Sequence, residues 1–482
     1  MVKQNKKFYI PTSIVYTNQR PHIGFALEVI QADVLARYHR LLGEKVFFST
    51  GTDEHGMKNS QAAKEAGKTP EDFTKEIAKR VKSLREVLNL SNDDFIRTSD
   101  KKRHWPTVEK VWLKLKENGD IYKKKYKGLY CVGCEAFVKE KDLVNGKCPV
   151  HEKAPEVIEE ENYFFRLSKY QKQLKKIIEA EMIKIIPETR QNELLNFISQ
   201  GLEDASCSRS REKLKWGIPV PEDDTQTVYV WLEALVNYLS VVDYATDGDK
   251  FKKFWPPDVH CIGKDIFVRF HGSLWLAMLL SLGLKLPKTI FIHGFITVAG
   301  QKMSKSLGNV IDPFELVKKY GTDPVRYFLL REIPPIEDGD FTYQKFEERY
   351  NDDLANGLGN LVARVVKLAE ISNFKTVIPK KIPDPKFQAV LNLANSETKR
   401  NLEEFKFNSS LISIWSLMGV CDKYIENEKP WEKSNKQRII VGTLLVALNE
   451  IAKLLKPFLP ETSERIFKQL KTKEAKPLFP RI

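Results

Sequence analysis

The first fifty residues constrain the fold most. Residues 7–13 are strand-like around the apolar stretch Phe8-Tyr9-Ile10, and residues 45–49 read as a second strand with a continuous apolar run. Between them Leu27, Ile30, Val34, Tyr38 and Leu41 recur at helical spacing, and Gly43 stands where a helix would end. Continuous apolar runs suit strands buried on both faces, as in parallel sheets. Strand, helix and strand in this order imply a right-handed parallel crossover. An open α/β sheet of this kind binds ligands at the carboxyl ends of its strands.

The chain has 482 residues, which predicts two to four domains. The texture changes between about 112 and 220, where a cysteine cluster, a lysine run (Lys123 to Lys125) and an acidic run (Glu159 to Glu161) interrupt the α/β pattern. That segment reads as an insertion. Beyond about residue 346 the pattern is helical, with a proline-containing connector at 380–386. Asp312-Pro313 and Asp323-Pro324 each predict an N-cap with proline at the first helical position.

Lys and Arg total 78 against 64 acidic residues, an excess that favours an anionic partner such as nucleic acid. The longest near-apolar run, 274–284, is too short to span a bilayer, so no membrane association is expected. With no secretory segment and only six cysteines, three of them clustered, the expected address is cytoplasmic.

Three motifs carry chemistry. Pro21-His22-Ile23-Gly24-Phe25 opens the first helix, whose free N–H groups and dipole suit a phosphate. His22 can donate to phosphate, and Gly24 permits close approach to the backbone. Lys302-Met303-Ser304-Lys305-Ser306 places two lysines and two serines where charge builds on a leaving pyrophosphate. Cys131-x2-Cys134 with Cys148-x2-His151 has tetrahedral zinc spacing, and four protein ligands predict one structural Zn²⁺.

With these motifs in order, the chain resembles the class I aminoacyl-tRNA synthetase family, and the zinc knuckle in a short insertion resembles its methionine-specific members. The resemblance covers nearly the whole sequence. It implies an α/β fold: a Rossmann-type parallel-sheet catalytic domain with an inserted zinc-knuckle domain, followed by an all-α helical-bundle anticodon-binding domain. The implied division is 1–112 for the first half of the catalytic domain, 113–222 for the insertion and 223–298 for the second half. Residues 299–345 then hold the Lys-Met-Ser-Lys-Ser loop and stem-contact region, and 346–482 the anticodon domain. One departure stands out, because the family signature ends in a second histidine where this chain has Phe25.

The same resemblance assigns roles. His22, Lys302 and Lys305 become catalytic, and ATP contacts fall to His22, Gly24, Gly263, Asp265, Lys302, Ser304 and Lys305, with Mg²⁺ accompanying ATP. Methionine contacts fall to Ile14, Tyr16, Asp53, Trp231, Ala234, Leu235, Tyr238 and His271. Asp53 would hold the α-ammonium, and Tyr16 and His271 would hydrogen-bond the sulfur. Trp231, Ala234, Leu235 and Tyr238 are expected on one face of a single helix, beside Glu233, where the family usually carries Asp. Arg209 is implied to position substrate or ATP. Asn360, Arg364 and Trp431 match positions that read the CAU anticodon by hydrogen bonds and stacking.

The implied activity is methionine–tRNA ligation. L-methionine and ATP form methionyl-adenylate and pyrophosphate, and methionine then passes to the terminal adenosine of tRNA(Met). A monomer is expected. Two alternatives stay open: another class I synthetase, such as the cysteine enzyme, or a nucleotidyltransferase of the same fold. A third is an RNA-binding paralogue without activity, for which Phe25 is the support.

Overall fold

A computed structural model describes residues 6–133, 136–138, 140–150, 152–304, 307–372, 382, 384–432 and 436–482. The chain forms two compact units, one of Met1–Pro21, Leu42–Ser83 and Ser91–His293, the other of His22–Leu41, Leu84–Leu90 and Gly294–Ile482.

The first unit is built on a six-stranded sheet. Strand β1 spans Lys7–Tyr16, β2 Lys45–Asp53 and β3 Asp94–Arg97. The order across the sheet is β3, β2, β1, then Val259–Gly263, Thr289–His293 and Lys184–Ile186. Every neighbouring pair is parallel, as the apolar runs require.

Both leading strands run further than their apolar cores. β1 reaches Tyr16 across a register shift between Pro11 and Ile14, where Pro11 has no N–H to give the ladder. β2 reaches Asp53 because residue 51 is glycine. A Cβ there would come within 2.2 Å of the Ile96 carbonyl oxygen on β3. The extension makes Tyr16 and Asp53 register partners at the carboxyl ends of adjacent strands.

The insertion carries an antiparallel sheet, in which Ile121–Cys131 lies between Ala136–Val138 and Glu156–Phe165, and the latter pairs also with Ala205–Ser206. The lysine and acidic runs are the two sides of one ladder, with Lys125 opposite Glu161 and Lys127 opposite Glu159. Lys123 and Glu161 approach to 3.8 Å and Lys127 and Glu159 to 3.6 Å. Such exposed pairs add little stability, but opposite charges across the strands favour this register. The main apolar core of the unit includes Val108, Trp112, Leu174, Ile178, Leu194, Ile262, Trp275 and Ile290. Among the described residues, none from 122 to 162 belongs to it.

The second unit is helical, apart from a small sheet formed by Ile296–Val298, Gln301–Lys302 and Gly339–Phe341. Helix α1 spans Ile23–Leu41, and later helices include Asn360–Ile371, Pro385–Glu403, Phe407–Glu428, Gln437–Leu455 and Pro460–Thr472. Asp312 caps Pro313–Tyr320 by accepting from the Phe314 N–H at 2.8 Å. Asp323 does not cap. Its helix starts one residue earlier, at Thr322, and the Asp323 carboxylate instead accepts from the Thr462 N–H at 2.6 Å. Three residues on, the Arg326 guanidinium is fully buried. It lies 2.8 Å from the Asp33 carboxylate of α1 and donates to the carbonyls of Leu88, Pro457 and Phe458. Among the described residues no helix is long and apolar enough to cross a membrane.

Candidate active site

In the first unit the candidate amino-acid residues gather at the strand ends. Asp53 is buried, and its carbonyl accepts from the Thr17 N–H at 3.0 Å, the Thr17 hydroxyl at 3.1 Å and the Asn59 amide at 3.2 Å. Tyr16 donates its hydroxyl to the His55 carbonyl at 3.0 Å, and Ile14 packs against the small core of Tyr9, Phe47, Ile96, Val241, Val242 and Phe254. Glu54, next in the chain, accepts from Thr52, Arg97 and Ser99, with Arg97 bidentate at 2.7 and 2.8 Å. The turn after β2 is therefore fixed on both its backbone and its side chains.

The expected single helix over Trp231 to Tyr238 is two short ones, Val230–Leu235 and Asn237–Ser240. The Asn237 side chain donates to the Ala234 carbonyl at 2.6 Å and competes with the continuing helix for that acceptor. Ala234, Leu235 and Tyr238 are buried. The Trp231 ring stacks on Phe270, with centroids 3.6 Å apart and planes at 8°.

His271 lies in a π-helix, Phe267–Trp275. Its Nδ1 faces the Ile266 carbonyl at 3.1 Å, which can only accept, so the ring proton sits on Nδ1. Nε2 then accepts the Tyr238 hydroxyl at 2.7 Å. Burial lowers the His271 pKa to about 4, which keeps the ring neutral. In this arrangement neither Tyr16 nor His271 has a hydrogen left for a thioether, so the expected donation to sulfur needs those bonds to be exchanged.

Gly263 ends the strand Val259–Gly263, and a Cβ there would meet the Asp265 carboxylate at 2.9 Å. Arg209 is buried. It donates to the Ser206 hydroxyl and the Ser208 carbonyl, both at 2.7 Å, and its guanidinium lies 4.3 Å from the Tyr229 ring centre.

The second unit brings both signature motifs together. The Gly24 N–H donates to His22 Nδ1 at 3.0 Å, which leaves the ring proton on Nε2. A Cβ on Gly24 would lie 2.8 Å from the His22 ring and 3.7 Å from the terminal methyl of Met303. Asn309 ties the loop by accepting from the Ser304 N–H at 2.9 Å and donating to the Lys302 carbonyl at 3.2 Å. Lys302 is exposed, with its ammonium 5.5 Å from the Phe295 ring centre. Lys305 lies outside the described residues. Phe25 is buried, so the position of the missing second histidine is a packing position here.

Of the four zinc candidates, Cys131 and Cys148 are buried, while Cys134 and His151 lie outside the described residues. Among the described residues no group of three or more ligating side chains is assembled. Farther along, Asn360 is exposed at the start of its helix, and Arg364 pairs with Asp422 at 3.0 Å. Trp431 is an exposed aromatic ring after the left-handed residue Lys429.

These features coincide with known sequence families. A model of class I tRNA synthetases (M) matches residues 8–154 and 133–366, and one of the anticodon-binding domain of tRNA ligases matches 384–479. The methionine–tRNA ligase of Caldanaerobacter subterraneus is 45% identical over 96% of this chain and 74% of its own length. That of Thermotoga maritima is 43% identical over 97% and 76%. The chain belongs to the methionine–tRNA ligase family. The family fold agrees in three dimensions. A Mycobacterium tuberculosis methionyl-tRNA synthetase in complex with methionyl-adenylate superimposes with a TM-score of 0.90 at 38% identity, covering 96% of this chain and 93% of that one. Membership in this family sets aside the cysteine enzyme and the nucleotidyltransferase as readings.

Sequence reasoning missed the surroundings of Glu233. Its buried carboxylate lies between two histidines, His55 and His104, at 2.9 Å each. The visible signal was the departure from the usual aspartate. Nothing in the spacing of residues 55, 104 and 233 announces that they meet.

Proposed function

We infer that the chain activates L-methionine with ATP and loads it onto tRNA(Met). The observation that carries this reading is the constellation at the ends of β1 and β2, where Tyr16 and Asp53 are paired in register. In the same unit the Trp231 ring is stacked on Phe270 and Tyr238 is bonded to His271. Asp53 would hold the α-ammonium, and Ile14, Tyr16, Trp231, Ala234, Leu235, Tyr238 and His271 would enclose the side chain.

The methionine carboxylate is already a nucleophile, so attack on the α-phosphorus requires no general base. Catalysis then rests on positioning and on stabilising phosphoryl charge. His22 contributes its Nε2–H, held in that tautomer by the Gly24 N–H. Lys302 and Lys305 would neutralise the departing pyrophosphate with Ser304 beside them, Gly24 and Gly263 would admit the nucleotide, and Asp265 would accept from its ribose. Mg²⁺ would accompany ATP and supply neutralising charge at its phosphates. Asn360, Arg364 and Trp431 would read the anticodon.

Cys131, Cys134, Cys148 and His151 would hold one structural Zn²⁺, which supplies cross-linking and no chemistry. Cys131 and Cys148 fit that role, because both are buried in an excursion whose described residues add nothing to the main core. The proposed setting is a monomer in the cytoplasm.

The test is ATP–pyrophosphate exchange with methionine, cysteine, leucine, isoleucine and valine. Exchange with methionine alone is expected. Exchange with another amino acid would overturn the substrate assignment. A folded sample inactive with all five would leave the RNA-binding paralogue.

A further inference from the structure

Glu233 is fully buried, yet its carboxylate touches no solvent-facing cation. Oε1 accepts from His55 Nδ1 and Oε2 faces His104 Nε2, each at 2.9 Å. His104 Nδ1 in turn meets the Ser240 hydroxyl at 2.9 Å. Burial pushes the Glu233 carboxyl up, but the two imidazoles outweigh it and leave the group below its ordinary value. A buried ionised carboxylate with both oxygens engaged is costly to break, because any lost partner leaves charge uncompensated.

The bridge joins three separate segments. His55 follows Asp53 in the turn after β2, where the Asn59 amide bonds both the Asp53 and His55 carbonyls, at 3.2 and 2.9 Å. His104 precedes the helix Trp105–Glu117. Glu233 is two residues from Trp231, and Ser240 is two residues from Tyr238. The rings of Trp105 and Trp216 meet His55 edge-on, at centroid distances of 6.1 and 5.1 Å. They hold the imidazole in place without competing for its Nδ1.

We propose that Glu233 is a positioning residue for amino-acid binding. Clamped between His55 and His104, its carboxylate sets the spacing between the Asp53 turn and the Trp231–Tyr238 segment. This rests on the methionine reading of that site. Glutamate rather than aspartate matters to the spacing. A carboxylate one methylene shorter cannot keep both 2.9 Å contacts unless the segments move together.

The test is methionine-dependent ATP–pyrophosphate exchange by full-length Glu233→Gln, Glu233→Asp and Ser240→Ala, with KM and kcat resolved for both substrates. Glu233→Gln keeps the volume, but one arm can only donate, so one imidazole loses its acceptor. The methionine KM is expected to rise about tenfold or more, with the ATP KM and kcat within about threefold. Glu233→Asp should recover part of that loss, because it restores the charge. Ser240→Ala removes the outer anchor of His104, together with the hydroxyl's 3.2 Å bond to the Val236 carbonyl, and should raise the methionine KM about two- to fivefold. It decides the matter if Glu233→Gln does not fold. The proposal is overturned if the methionine KM stays within about twofold in both Glu233→Gln and Ser240→Ala. It is equally overturned if the KM values for methionine and ATP rise together in step with a fall in Tm, which marks a merely structural role. Wild-type protein inactive with methionine would instead remove the substrate reading itself.

Discussion

His271 has an acid-side consequence. Burial holds it neutral down to about 4, and burial with the neighbouring His271 ring also depresses His260 well below its ordinary value of 6.5. In the unfolded chain both rings take protons near that ordinary value. As pH falls below about 6.5 the unfolded state therefore binds more protons, and stability drops down to about 4, where folded His271 protonates as well. The urea midpoint of the wild type should fall across this window. His271→Gln should flatten the slope between those limits, and an unchanged slope would mean that the ring is already charged in the fold. Residue-scale geometry of this kind was hidden from the sequence. His271 could be named from its motif, but its tautomer depends on the Ile266 carbonyl, and that contact exists only because the surrounding helix is wound as a π-helix.

At the scale of elements, the parallel sheet was readable because apolar runs state burial on both faces, and the strand ends were not. β2 continues to Asp53 through polar residues, and only the fit of Gly51 under Ile96 explains why. Likewise Asp323-Pro324 carries the sequence of a helix cap, but tertiary contact with Thr462 recruits the carboxylate elsewhere. His22, Gly24 and Lys302 were legible as motifs because their order along the chain is specific. The pairing of Glu233 with His55 and His104 was not legible, since it joins residues far apart in sequence. The insertion offers a prediction of its own. Because none of the described residues from 122 to 162 shares in the main core, its strands are expected to depend on the proposed zinc for cohesion. One zinc per chain is expected by elemental analysis. Chelation should open the segment around Cys131 and Cys148 to proteolysis well before the parallel sheet is cut. Equal protection with and without chelator would show that the antiparallel ladder suffices alone.

For the molecule as a whole, the candidate residues divide between the two compact units. Candidate methionine contacts lie in the first, while both signature motifs and the candidate anticodon residues lie in the second. Trp431 tests the RNA end without touching a core, because more than half of its surface is exposed. Base stacking on such a ring is worth about 1–3 kcal/mol, so Trp431→Ala should lower the ratio of tRNA charging to pyrophosphate exchange by about 5- to 150-fold. Steady-state kinetics with transcribed tRNA(Met) measures that ratio. A ratio that does not change would assign the ring to some other surface contact.

The strand order has a consequence for how the chain is made. Strand β1 lies inside the sheet, yet one of its two neighbours arrives only with Val259–Gly263, where Cys261 pairs with Thr12. On a ribosome adding about 5–20 residues per second, some 250 residues of synthesis separate those partners, roughly 12–50 s. Throughout that interval the apolar edge of β1 lacks its partner strand, while the insertion is being synthesised. The nascent chain is thus exposed to mispairing at β1, and chaperones that shield hydrophobic edges have a long claim there.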